Sequence, residues 1–159
     1  MAHPYLLMNS NSHSDAPRAA LLLPVAFLLH LAEEWFGGIS AWTLIALGNE
    51  ISPERFVLIN GIAFPIFVAG TVAAYFNPRM AWFSASLAAL LGLNGILHTL
   101  ATLGLGLYSP GTVTGLLLYL PLSVVVLRAS ASQLSRSVFA SSVLFGALIH
   151  GLISFLAFL

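Results

Sequence analysis

Along the chain, hydrophobic and polar positions divide into a polar opening segment and five apolar stretches. Residues 1–17 are polar, carry His3, His13 and Asp15, and lack the basic opening and small-residue cleavage site of a signal peptide. They read as a flexible tail. Apolar runs follow over about 19–36, 56–76, 80–103, 112–127 and 138–158. Each comes close to the roughly 20 residues that a helix needs to cross the hydrocarbon core of a bilayer. Asn77-Pro78-Arg79 and Tyr108-Ser109-Pro110-Gly111 predict tight turns between runs. Residues 37–55 are different: they open Gly-Gly, hold Trp42 and end near Glu50, Pro53, Glu54 and Arg55. This segment predicts an interfacial connection, a short helix in the headgroup zone with Trp42 as its anchor. The expected fold is therefore all-α: a polytopic membrane helix bundle of about five transmembrane helices plus an interfacial segment. Residues 18–159 form the single transmembrane domain. Pro24, Pro65 and Pro121 fall inside apolar runs, where membrane helices tolerate kinks. Gly111 with Gly115, and the stripe Ala81, Ala85, Ala89, offer close helix packing.

Composition removes the soluble alternatives. The 159 residues are 59% hydrophobic and 6% charged, with five Arg, no Lys, one Asp and four Glu. An average soluble domain carries roughly 25% charged residues. An ordinary cytosolic enzyme and a disordered chain are excluded. So is a nucleic-acid binder, since net charge is +0 and no basic excess faces phosphate. No Cys means no disulfide, thiolate ligand or Fe–S cluster. With five crossings, Arg18, Arg79, Arg128 and Arg136 fall at one end and Arg55 at the other. The positive-inside rule then places the N-terminus inside and the C-terminus outside the expected bacterial cytoplasmic membrane. The lipid bilayer is the expected partner.

Against this background the polar residues inside the apolar runs stand out. His30-Leu31-Ala32-Glu33-Glu34 lies in the first run, where an ionised carboxylate near the bilayer centre costs about 2.5–3.5 kcal/mol or more. On a helix His30 faces Glu33 and Glu34 together, while the two Glu diverge by roughly 100°. One is free to share a metal with His30 while the other points at a substrate or a neighbouring helix. At a rise of 1.5 Å per residue from the nearest Arg, His30 lies about 18 Å up, Glu33 and Glu34 about 22–24 Å, Asn94 about 22 Å, His98 about 28 Å and His150 about 21 Å. Three helices thus bring imidazole, carboxylate and amide groups to one slab. Asn60 reads as a packing hydrogen bond, Tyr119 as a core or interfacial residue, and His3 and His13 as part of the tail.

The His30-Leu31-Ala32-Glu33-Glu34 signature resembles the HXXEE family of small bacterial membrane proteins. Asn94-Gly95-Ile96-Leu97-His98, Tyr108-Ser109-Pro110-Gly111 and His150-Gly151 fit the same pattern, from about residue 22 to 152. The resemblance supports the positions and brings no assigned function with it.

The chemistry follows from the residues. A divalent cation cancels buried carboxylate charge, and His and Glu are its natural ligands. The expected ligands are His30, Glu34, His98 and His150, with Glu33 as general base and Asn94 at the substrate or behind a ligand. Zinc is the first expectation, with iron or manganese as alternatives. The expected reaction is hydrolase-type water activation on a hydrophobic small-molecule substrate entering from the side. Two other classes stay open. One is a metal-free acid/base enzyme acting on an isoprenoid or lipid, a cyclase or isomerase. The other is a proton-coupled carrier.

Overall fold

The structure, a computed structural model, describes residues 15–159. Most of the tail expected over 1–17, including His3 and His13, lies outside the described residues; a short helix, Asp15–Ala20, leads into the bundle. Five helices are long and apolar enough to cross a membrane: Arg18–Phe36, Pro53–Phe76, Pro78–Leu105, Thr112–Gln133 and Arg136–Ala157. They are called the first to fifth spans below. A sixth, shorter helix, Ile39–Leu47, joins the first two spans. Among the described residues there is no strand.

The spans start earlier or run further than the apolar runs because polar caps and ends join them. Ser52 accepts a hydrogen bond from the Arg55 N–H ahead of Pro53, and Ser135 does the same for Val138. The fourth span carries on past Leu127 through Arg128 and several Ser to Gln133. At the turn between the second and third spans, the Asn77 carboxamide accepts from the Arg79 N–H at 3.1 Å. Upstream of Pro24, which has no N–H to give to Ala20, Leu21 and Leu22 donate three residues back, to Arg18 and Ala19, so a tighter turn joins the short opening helix to the rest of the first span. Pro121 follows a π-helical turn over Gly115–Tyr119, in which Leu120 N–H reaches back five residues to Gly115.

The third span is the hub. Of its most apolar stretch 61% is buried, against 17% to 39% for the other four spans. Its small residues explain this. Lipid tails are as apolar as Leu, so helices in a bilayer associate through close van der Waals contact rather than expulsion of water. Ala81, Ala85 and Ala89 are all buried, as the small-residue stripe predicts. A Cβ on Gly146 of the fifth span would lie 2.1 Å from the Ser86 carbonyl oxygen and 3.1 Å from Ala89. A Cβ on Gly95 would lie 2.9 Å from the Gly115 carbonyl oxygen, so the third and fourth spans touch backbone to backbone. Gly115 thus does pack closely. Gly111 packs elsewhere, as described below. Large apolar side chains such as Phe36, Phe76 and Leu103 point outward, the reverse of a soluble protein and the arrangement that lipid requires.

The helix Ile39–Leu47 corrects one expectation. It forms where a short interfacial helix was predicted, flanked by Gly38 and Gly48 in the left-handed region (φ 76° and 72°). Yet the Trp42 ring does not simply face outward. It is half-buried, lines the internal cavity, and its indole nitrogen is enclosed. The helix therefore caps the bundle at the end opposite Arg18, Arg79, Arg128 and Arg136.

Candidate metal centre

The HxxEE stretch sits in the last three turns of the first span. His30 and Glu34, one turn apart, face inward and are buried; Glu33 is turned away from them toward the start of the fourth span. The third span brings His98 to the same place. His98 Nε2 lies 3.2 Å from Glu34 Oε1, and His30 Nε2 lies 3.5 Å from the same oxygen. One ligand atom from each of His30, Glu34 and His98 falls within 4.8 Å of the others. Ligands about 2.0–2.1 Å from a tetrahedral ion stand roughly 3.3–3.4 Å apart, so the two measured separations match the edges of such a site. His30 Nε2 is fully enclosed and has no hydrogen-bond partner among the described residues. A buried ring nitrogen without a partner, next to a carboxylate oxygen, is an arrangement that could hold a metal ion.

The outer nitrogens are held from behind. His30 Nδ1 lies 2.8 Å from Thr114 Oγ1, which in turn gives its only proton to Glu33 Oε2 at 2.5 Å. With its hydrogen spent on the carboxylate, the Thr114 hydroxyl can only accept from the imidazole. His30 therefore carries its proton on Nδ1 and presents a lone pair at Nε2. A ligand imidazole oriented through its other nitrogen is the arrangement that metal sites depend on. His98 Nδ1 reaches Ser109 Oγ at 2.9 Å, and Ser109 is itself held by its N–H bond to Thr102 Oγ1 at 2.9 Å. The His30 and His98 rings meet edge to face at 5.1 Å, and the Tyr119 ring stacks on His30 at 4.3 Å.

Glu33 has different partners from those its expected role as a base requires. Its Oε1 accepts from the Tyr108 hydroxyl, the Gly111 N–H at 3.0 Å and the Val113 N–H at 2.9 Å. Its Oε2 accepts from the Thr114 N–H at 2.7 Å and the Thr114 hydroxyl. A carboxylate offers about four lone-pair directions, and five donors fill them. Three of these donors, from Val113 and Thr114, belong to the first turn of the fourth span, where free N–H groups and the helix dipole favour an anion, and Tyr108 and Gly111 come from the turn just before it. Glu33 therefore pins the Tyr108–Thr114 segment to the first span.

The remaining expected residues line the cavity beside the cluster. His150 faces it from the fifth span, outside the three-residue group, with Nδ1 3.5 Å from Ser154 Oγ. Asn94 faces it from the third span with an enclosed, unpartnered Oδ1. Asn60 lines it too, but its amide nitrogen bonds the Phe56 carbonyl of its own helix at 2.8 Å, in keeping with a packing role. The cavity has a volume of about 420 Å³, and the rest of its wall is mostly aliphatic and aromatic, with Thr43, Ser109 and Ser154 among it. It lies among the five spans, the fourth contributing Tyr119, under the cap helix.

Sequence reasoning missed Thr114, Ser109 and Trp42 as site residues, and read Gly111 as helix packing. Gly111 has φ 103°, and a Cβ there would lie 2.7 Å from His30 Cε1, 3.0 Å from His30 Nε2 and 3.0 Å from His98 Cε1. It is bare because the two imidazoles occupy that space. The signal was the 100° divergence of Glu33 from Glu34, set against a turn that opens a helix.

Residues 21–126 match the family model described as HXXEE, protein of unknown function with HXXEE motif. No curated protein and no solved structure matches the chain.

Proposed function

We propose that this chain, which belongs to the HXXEE family, is a membrane-embedded metal-dependent enzyme of hydrolase type. It would act on a lipid-soluble small molecule inside the cavity. The observation that carries the reading is the orphaned His30 Nε2, sharing Glu34 Oε1 with His98 Nε2 on the wall of an apolar chamber. His30, His98 and Glu34 would hold one divalent ion, zinc first, iron or manganese otherwise. Two imidazoles and one carboxylate leave coordination positions free, as catalytic sites do. Such an ion supplies Lewis acidity and an acidified water.

The protein's own groups do the rest. Thr114 and Ser109 orient the two imidazoles, and Glu33 fixes the segment that carries both. With Glu33 committed to five donors, His150 is the imidazole left facing the chamber to take a proton from water. In hydrolysis the water oxygen bonds the electrophilic carbon, the bond to the leaving atom breaks, and the proton held by His150 passes to that atom. The second and fifth spans meet only sparsely, and both line the cavity. Substrate would enter between them from the bilayer.

Metal analysis of the purified protein by mass spectrometry tests the reading. About one equivalent is expected in the wild type and in His150→Ala, and almost none in His30→Ala, His98→Ala or Glu34→Gln. A wild type that stays metal-free after exposure to zinc, iron and manganese would sink the metal centre and favour acid/base chemistry by the Glu34–imidazole group alone.

A further inference from the structure

The first and fourth spans touch at both ends and part in between. At one end the start of the fourth span is bound to Glu33. At the other, the opening helix Asp15–Ala20 packs against Leu120–Gln133. Between these contacts the two helices meet only sparsely, and a groove of about 390 Å³ lies in the gap. Leu22, Val25 and Leu29 of the first span and Leu117, Pro121 and Val125 of the fourth line it, and all six are exposed. Ala26 lines it too and is buried, which puts the smallest of these side chains at the floor. The lining side chains are all Leu, Val, Ala or Pro. No water fills such a gap within the hydrocarbon core, and an empty gap forfeits dispersion contacts on both walls. Hydrocarbon is the natural filling.

The foot of the groove is charged. Arg18 stands one turn before Leu22, and Arg128 follows Val125 by three residues, spacings that carry a helix face onward. Both are exposed. The helix that carries Arg18 packs on the stretch that carries Arg128, so the two cations stand at the same end of the same gap. The ion pairs among the described residues involve only His30, His98 and Glu34. All four Glu lie toward the opposite end, which leaves Asp15 as the one acid of the sequence near this one. From Arg18 to Leu29 the rise is about 16 Å at 1.5 Å per residue, close to half of the roughly 30 Å hydrocarbon core. The groove is therefore one leaflet deep, with two cations at its headgroup end.

We infer that this groove is a binding site for an anionic phospholipid in the leaflet at the four-Arg end. One acyl chain lies over Ala26 between the two spans, and the phosphate sits between Arg18 and Arg128. A guanidinium presents phosphate with a planar fork of N–H donors. A zwitterionic lipid would bring its own ammonium to the same Arg pair, so a net anion is favoured. The site is separate from the proposed metal centre, because His30 and Glu34 face inward from the first span and the groove faces lipid.

Full-length protein in detergent is titrated with palmitoyl-oleoyl phosphatidylglycerol and with the phosphatidylcholine of the same chains, and bound lipid is counted by native mass spectrometry. Phosphatidylglycerol should bind about tenfold tighter. Arg18→Gln and Arg128→Gln should each weaken it about fivefold, while Arg79→Gln, at the same end but at the turn between the second and third spans, should leave it unchanged. Ala26→Phe fills the floor and should remove the tight site with both Arg in place. Val25→Trp fills the gap from an exposed wall position, and it decides the point where Ala26→Phe does not fold. Equal binding of the two lipids would overturn the inference. So would equal losses in Arg79→Gln and Arg18→Gln, which would mean diffuse attraction to the four-Arg end, or full binding in Val25→Trp. A lipid-free dimer that Val25→Trp dissociates would also overturn it, by making a second copy of the chain the occupant.

Discussion

At the scale of residues, the site is an exchange of roles between two neighbouring carboxylates. Glu34 faces the imidazoles, while Glu33 is bound by the start of another helix. Thr114 joins the two halves, since its single hydroxyl receives from His30 and gives to Glu33. Thr114→Val keeps the shape and removes that relay. The His30 ring loses its hold and its fixed tautomer, so metal affinity should fall about 10–100-fold. Competition with a fluorescent zinc chelator measures the loss; unchanged affinity would show that the ring needs no such support. Tyr108 lies outside the spans and allows a pH prediction. Burial, the hydrogen bond to Glu33 and the repulsion of that carboxylate's charge push its phenol up to about 12. A raised value means the folded state keeps a proton that the unfolded chain gives up. The stabilisation is whole below pH 10 and is lost as pH rises from 10 to 12. Thermal unfolding in detergent should thus drop more steeply across pH 10–12 in the wild type than in Tyr108→Phe. Parallel curves would show that the phenol is not held by Glu33.

At the scale of elements, two kinds of glycine can be told apart. Gly146 sits where the fifth span meets the third, with backbone at 2.1 Å from any added Cβ. Gly61, in the second span, has nothing within 4 Å of that point. Gly146→Val has to drive two helices apart, and overpacking typically costs about 1–3 kcal/mol. Gly61→Ala should be neutral or stabilising by about 0.5–1 kcal/mol, as Ala is the better helix former. Chemical denaturation in mixed micelles compares the two, and equal effects would contradict the close third–fifth packing. The elements themselves were legible in the sequence, because apolar runs of spanning length and Pro- or Gly-marked turns are local signals. Their ends were not, since Arg128 to Gln133 continue a helix whose hydrophobic signal has already stopped. Nor was the inward face of the cap helix: a Trp between two Gly reads the same whether its ring meets headgroups or a cavity.

At the scale of the whole molecule, the site depends on which spans lie side by side, and no local pattern carries that. The shared depth of His30 and His98 pointed to their meeting, although a straight-helix estimate puts them about 10 Å apart in height. His150 came to the same chamber but not into the three-residue cluster, because small residues fix where the fifth span crosses the third. What the sequence does carry at this scale is charge. Arg18, Arg79, Arg128 and Arg136 lie at one end of the spans, and Arg55 lies at the other beside Glu50 and Glu54. The cap helix, Tyr108 and the His/Glu cluster occupy the half nearer Arg55. Cytoplasmic loops retain Lys and Arg, while Asp and Glu contribute little to orientation, so the four-Arg end should face the cytoplasm. The cluster and the gap between the second and fifth spans would then open toward the outer leaflet. A periplasm-active phosphatase fused after Leu159 should show activity, and a green fluorescent protein at the same point should stay dark. Adding three Arg to the Gly48–Ser52 loop raises the count at the weaker end to equal the other, and should divide the population between the two reporters. A fluorescent C-terminal fusion in the unaltered chain would place the chamber in the cytoplasmic leaflet, and substrate would have to be supplied from inside the cell.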